Sequence, residues 1–178
     1  LLLQAWQALR QIHPQTRLLL VGDGPQRAEL QAACPEAIFA GSRRGEDLSA
    51  HYASADLFAF PSQSETFGNV VLEALASGLP CVCFDHAAAG HLLREGQGGL
   101  LVDPALPQGF ASALHALATD PDRRQAMAQA ARALALREDW DGIVARFEGL
   151  LYEAQGEGQA AGIGNLGESG EVLPLAGG

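Results

Sequence analysis

The sequence predicts an α/β fold, a parallel sheet covered by helices on both faces. Three observations predict it. Five short, almost wholly apolar runs are spread along the chain, stretches with helical spacing separate them, and glycine or proline marks most of the joints. Continuous apolar runs suit strands buried on both faces, and such strands occur where crossover helices pack above and below a parallel sheet.

The strands expected are Leu18–Val21, Ala37–Ala40, Leu57–Phe60, Cys81–Phe84 and Gly99–Val102. The helices between them are Gln26–Ala33, Glu46–Ser54, Thr66–Ser77 and Ala87–Arg94. Crossovers of this kind are right-handed. Gly78 and Pro80 stop the third helix, since glycine accepts a left-handed cap and proline cannot continue the turn. Asp120-Pro121 supplies an N-cap and a first-turn proline for a helix running through Arg137. A further amphipathic helix is expected from Trp140 to about residue 154.

Residues 1–154 therefore read as one domain. Residues 155–178 are glycine-rich, lack any period and carry no basic residue, so a flexible tail is expected there. The chain opens Leu1-Leu-Leu-Gln-Ala-Trp6 without Met and without a helix cap, which reads as an internal start with part of the protein upstream.

Composition narrows the function. The 178 residues carry a formal net charge of −10, which argues against a nucleic-acid partner and against an electrostatic membrane anchor in this segment. No window approaches the roughly 20 apolar residues of a membrane span, and no basic leader with a cleavage site opens the chain. Cys34, Cys81 and Cys83 are too few and too oddly spaced for a disulfide framework or a zinc pattern; they read as buried, reduced thiols of a cytoplasmic protein. His13, His51, His86, His91 and His115 are scattered with no metal-ligand spacing, so no metal is expected. Of these, His86 and His91 follow the fourth strand at its carboxyl end, and the other three read as helix-surface residues. No Gly-x-Ser-x-Gly elbow supports a serine hydrolase.

In an open parallel sheet, ligands bind beyond the carboxyl ends of the strands. The third strand ends at Pro61, and the following helix opens Thr66-Phe-Gly-Asn-Val70, which points free backbone amides at that crevice, an arrangement suited to phosphate. Gly68 allows close approach of a ligand to the backbone. Glu65 stands at the tip of this helix, and Glu73 lies eight residues on, about 10–12 Å along the axis. Glu73 interrupts an otherwise apolar run, so it reads as a buried acid that needs a partner. That spacing suits a ligand with phosphates in the middle and hydroxylated sugars at its ends.

Plainer readings stand beside these. Ser62-Gln-Ser-Glu65 fits a capping box, which gives Glu65 a structural role. Glu73 can be paired with Arg94. Val21-Gly22-Asp-Gly-Pro25 has Arg27 where a dinucleotide fingerprint has its third glycine, so it reads as a tight strand-to-helix turn. Gly41 and Ser42 end the second strand, either as crevice lining or as an ordinary turn. Arg43 and Arg44 face a phosphate or form a solvated loop.

Taken together, these segments resemble the C-terminal, donor-binding domain of GT-B fold glycosyltransferases of the retaining family 4 type, a Rossmann-like domain. The resemblance rests on Val21-Gly-Asp-Gly-Pro25, Phe39-Ala-Gly41, Ala55-Asp-Leu-Phe58, and Pro61-Ser62 through Glu65-Thr-Phe-Gly68 to Leu72-Glu-Ala-Leu-Ala-Ser-Gly-Leu-Pro80. Gly99–Val102, Trp140 and Tyr152 complete it. It spans residues 1–154, and its most specific part is the pair Glu65 and Glu73 in their embedding motif.

The resemblance implies that Glu65 contacts the donor sugar near its transferring carbon and that Glu73 holds the ribose hydroxyls. It implies that the backbone of Phe67, Gly68, Asn69 and Val70 meets sugar and diphosphate. Gly22, Gly41 and Ser42 would line the nucleotide side, and His91 would stand where many members have a sugar-contacting Glu in a Gly-Gly-x-x-Glu segment, here Ala87-Ala-Ala-Gly-His91. The implied substrate is a UDP- or GDP-linked sugar, with no cofactor. An N-terminal acceptor-binding domain and an Arg/Lys diphosphate clamp would lie upstream, so the segment alone is expected to be inactive. The expected location is cytoplasmic, with peripheral contact to the inner face of a membrane left open. A non-catalytic nucleotide-binding module of the same fold, or another GT-B enzyme such as an epimerase, is the alternative.

Overall fold

The computed structural model describes residues 1–64, 69–94 and 97–137, and Leu1–Arg137 make one compact unit. The expected helix after Trp140 and the glycine-rich tail lie outside the described residues. Helices and strands alternate: α1 (Leu2–Ile12), β1 (Leu19–Val21), α2 (Arg27–Ala33), β2 (Ile38–Gly41), α3 (Gly45–Ala53), β3 (Phe58–Phe60), α4 (Asn69–Ala76), β4 (Cys81–Phe84), α5 (Ala87–Arg94) and β5 (Gly99–Val102). Two further helices follow, α6 (Gly109–Ala118) and α7 (Pro121–Ala135).

Every strand pairing is parallel, as the apolar runs predicted. β4 shows why the sheet is covered on both faces. Successive residues of a strand point to opposite sides, and all four residues of β4 are buried. Cys81 and Cys83 pack with Val71, Ala74 and Leu75 of α4, Leu93 of α5 and Leu134 of α7. Val82 and Phe84 pack on the other side with Ala5 and Leu9 of α1 and Phe110, Leu114 and Leu117 of α6. Phe110 is fully buried and meets Phe84 ring to ring at 5.8 Å.

The ladder comes in two pieces: β1 pairs with β2, and β4 lies between β3 and β5. Helix α1 serves both. Its Ala5 and Leu9 join the core of the three-stranded piece, while the neighbouring Trp6 packs with Cys34, Ala37, Leu18, Leu20 and Phe39 around the two-stranded one. The β1–β2 pair is thinly covered, with Val21 and Ile38 exposed and neither α2 nor α3 fully burying a residue. Both of its strands start one residue later than the apolar runs suggested. A bulge between Leu20 and Val21 brings Val21 opposite Gly41 and carries the second strand past Ala40.

The helix boundaries follow from local chemistry. Asp120 accepts the Arg123 backbone N–H at 2.9 Å and precedes Pro121, so α7 begins where the capping signal placed it. It ends at Ala135, two residues before the expected Arg137. Arg124 of α7 reaches back to the Leu117 and Ala118 carbonyls, satisfying the last turn of α6. All three cysteines are buried and free. His51 is half-buried, with Nδ1 2.6 Å from the Asp47 carbonyl; His115 is exposed as expected, while His13 is half-buried and stands ring to ring with it at 5.8 Å.

Candidate active site

Helix α4 is the element on which the site depends. Its apolar side is Val71, Ala74 and Leu75, all fully buried. Its end is built as the Gly78-Leu-Pro80 sequence predicted: Gly78 adopts φ 73°, its N–H donates to Leu75 O at 2.9 Å, and Leu79 N–H donates to Ala74 O at 3.0 Å. This pair of bonds is the Schellman motif, which closes the helix and leaves Pro80 free to start the next strand. The Arg132 guanidinium also caps the Ala76 carbonyl. The amino end of α4 is described from Asn69, which is exposed, and Val70, which is half-buried. Glu65, Phe67 and Gly68, with Thr66, lie outside the described residues.

Glu73 corrects an expectation. It is exposed, not buried. At about 100° per residue, Val71, Ala74 and Leu75 share the core side and Glu73 falls on the other. No desolvation cost therefore has to be offset there. The Arg94 partner is also excluded, because Arg94 is paired with Asp85. The group that engages Glu73 is Tyr52 of α3. Its hydroxyl donates to Glu73 Oε2 at 3.1 Å and lies 3.4 Å from the Val70 carbonyl oxygen. Partial burial first, and the Glu73 carboxylate second, push the Tyr52 hydroxyl well above its ordinary pKa, so it stays a proton donor.

The β1–β2 pair carries the second group of candidates. Gly22 (φ 135°) and Gly41 (φ 76°) both use backbone conformations that favour glycine. Gly22 N–H donates to Gly41 O at 2.9 Å and ties the two strand-to-helix turns together. Gly41 is buried, and a β-carbon on it would lie 3.0 Å from Nη1 of Arg27. Arg27 itself pairs with Asp23 at 3.3 Å and donates to Phe39 O at 3.5 Å. The residue that spoils a dinucleotide fingerprint thus braces the turn. Ser42 is exposed, and Arg43 forms a local pair with Asp47 at 3.1 Å.

His91 is exposed on α5, one turn beyond Ala87. Ala87 takes φ 47°, a left-handed value uncommon for a residue with a β-carbon. It occupies the first glycine position of the Gly-Gly-x-x-Glu segment named above and keeps a glycine conformation there. Gly90 is buried against Asp85, where a β-carbon would come within 2.6 Å of Oδ1. The structure therefore joins Glu73 to Val70 through Tyr52, and Gly22 to Gly41. Among the described residues, no hydrogen bond links these two groups to each other or to His91.

Two cavities lie elsewhere. One of about 380 Å³ is lined by Gln97, Gly99, Arg123, Ala126 and Met127. Another of about 290 Å³ involves Trp6, Arg10, Thr16, Arg17, Glu36 and Ile38. Both open near the amino ends of the strands, away from the end where open parallel sheets bind ligands, and neither includes a candidate residue. Among the described residues no group of three His, Cys, Asp or Glu side chains is placed to hold a metal ion, and no helix is long and apolar enough to cross a membrane.

Tyr52 carries no local sequence signal, because it stands 21 residues from Glu73 on a different helix. No local spacing rule connects the two. Arg27 was seen only as a failed glycine.

This α/β architecture is that of GT-B glycosyltransferases, and residues 1–120 match the family described as glycosyl transferases group 1; the chain belongs to that family. It is 41% identical over 129 residues to a GDP-mannose-dependent alpha-mannosyltransferase of Mycobacterium tuberculosis, covering 70% of this chain and 32% of that protein. It is 34% identical over 146 residues to the sulfoquinovosyl transferase SQD2 of Arabidopsis thaliana, covering 79% of this chain and 29% of the relative. The solved structure of Anabaena Alr3699/HepE, in complex with UDP and glucose, superimposes with a TM-score of 0.68 at 28% identity, over 83% of this chain and 43% of that one. The chain thus spans about a third of the length of these curated relatives.

Proposed function

We propose that this chain is the donor-binding half of a glycosyltransferase that uses a nucleoside diphosphate sugar, GDP- or UDP-linked. An N-terminal domain would supply the acceptor site, and the sugar would be transferred with retention of configuration. The observation that carries the reading is Glu73: a carboxylate on the open side of an otherwise core-facing helix, fixed by a tyrosine from the neighbouring helix. Family membership and the names of the relatives support the donor class.

In this reading Glu73 accepts hydrogen bonds from the ribose hydroxyls, and Glu65 contacts the donor sugar near the transferring carbon. The backbone amides of Phe67, Gly68, Asn69 and Val70 meet the sugar and the diphosphate. Gly22, Gly41 and Ser42 approach the nucleotide, and His91 takes the place of an acidic sugar contact. The departing diphosphate gains negative charge as the glycosidic bond breaks. Amides at the start of a helix stabilise that charge, and such preorganised donors are the main lever available where no metal or covalent nucleophile takes part. The leaving phosphate then assists the incoming hydroxyl on the same face of the sugar.

Calorimetry with GDP, UDP and their hexose conjugates tests the reading. Saturable binding of one nucleotide family is expected, and transfer to an acceptor is expected only from a protein that also carries the upstream domain. Absence of binding to every one of these compounds at millimolar concentration overturns the donor assignment. Measurable transfer by residues 1–178 alone overturns the division of labour.

A further inference from the structure

We infer that Tyr52 is a positioning residue for Glu73: from α3 it fixes the carboxylate of a residue on α4 and leaves one oxygen open for vicinal hydroxyls. The inference rests on the ribose role proposed for Glu73. A glutamate on a helix surface ordinarily samples many rotamers, and ordering it on ligand binding costs affinity. Here Oε2 is already engaged at 3.1 Å, and the phenol is the only side chain hydrogen-bonded to it among the described residues. A carboxylate has about four acceptor positions, so one donor leaves Oε1 free for a ligand.

Tyr52 is well held for this task. Its ring is half-buried and lies 5.9 Å from that of Phe58, at 59°, within the apolar cluster that also contains Val71, Ala74 and Leu75. The single phenolic proton has two acceptors within reach, and the carboxylate is both nearer and charged. The hydroxyl therefore serves Glu73 in preference to the Val70 carbonyl. A packed ring on one helix thereby sets the side-chain angle of an acid on another.

Tyr52→Phe keeps the ring and removes the proton donor. Calorimetry compares wild type and variant with GDP and UDP and with the 2′,3′-dideoxy forms of both. For the nucleotide that the wild type binds, Tyr52→Phe is expected to weaken the ribose form about three- to tenfold, the scale of one hydrogen bond. The dideoxy form should bind both proteins equally. In a Glu73→Ala background the tyrosine substitution should have no further effect, a result that a purely structural role does not give.

The failures separate. A wild type that binds ribose and dideoxyribose forms alike, or neither, removes the ribose role of Glu73 and the inference with it. A wild type that distinguishes them, with Tyr52→Phe unchanged or weakened equally for both forms, overturns the inference alone. A Tyr52→Phe effect that persists at full size in the Glu73→Ala background also overturns it.

Discussion

Replacing Glu73 by alanine should separate binding from stability. On the stability side, the side chain is exposed and contributes one hydrogen bond, from Tyr52 at 3.1 Å. When it is removed, the Tyr52 hydroxyl still has the Val70 carbonyl at 3.4 Å and is not left unsatisfied. Alanine is also the slightly better helix former, by a few tenths of a kcal/mol. The two effects oppose each other, so unfolding free energy should change by less than about 0.5 kcal/mol. On the binding side, a hydrogen bond to a charged acceptor is worth about 1.5–3 kcal/mol. The solvent exposure of Glu73 argues for the lower part of that range, about 1.5 kcal/mol, or somewhat more than tenfold in Kd. Urea titration followed by tryptophan fluorescence measures the first quantity, and calorimetry with the preferred nucleotide diphosphate measures the second. Affinity within twofold of wild type would falsify the ribose role. A loss of more than about 2 kcal/mol in stability would return Glu73 to a structural part, against its exposure.

Three further outcomes follow from the packing. Gly99 sits opposite Cys81 in the β4–β5 ladder, and a β-carbon there collides with the Cys81 carbonyl, an unyielding backbone atom. Gly99→Ala should therefore cost about 2–4 kcal/mol by forcing the strands apart, and an unchanged urea midpoint would contradict this. Ala87→Gly relieves a left-handed alanine at about 1 kcal/mol but adds unfolded-state freedom, so a net gain near 0.5 kcal/mol is expected in thermal unfolding; a lowered midpoint would refute the strain. The three buried thiols should react with a thiol reagent only on unfolding, with Cys81 held well above its ordinary pKa first by hydrogen bonding with Cys83 and then by burial. Because the raised pKa keeps the Cys81 thiol neutral through neutral and mildly alkaline pH, and burial shields all three, the native lag should persist there, and rapid labelling at pH 8 would oppose it.

The parallel α/β architecture was legible because its strongest signals are local. β4, β5 and α5 begin and end where the apolar runs and the proline and glycine stops placed them. The α4 terminus was equally readable, because Gly78 and Pro80 admit few alternatives. What failed was reading burial from a run of apolar letters. Val70 to Ala76 looks continuously apolar around Glu73, yet on an eight-residue helix the angular position of each residue decides, and Glu73 points away from Val71, Ala74 and Leu75. The extension of β2 to Gly41 depends on its pairing with β1, where Leu20 and Val21 oppose Phe39 and Gly41 and leave Ala40 as the extra residue, so no single segment encodes it. The Tyr52–Glu73 contact required two helices to be brought side by side, so no local pattern announced it.

The two-piece ladder has a consequence for how the molecule opens. The β3–β4–β5 piece is clamped between two apolar clusters that contain most of the fully buried side chains, whereas the β1–β2 pair rests on a cluster whose buried members are Trp6, Cys34 and Ala37. Free energies of local opening scale with such burial. Backbone amides of Leu19–Val21 and Ile38–Gly41 should exchange with solvent well before those of Cys81–Phe84. Gly22 and Gly41 belong to the softer piece and Glu73 to the firmer one. A ligand engaging all three would draw the two pieces together and slow the exchange of β1 and β2 more than that of β4.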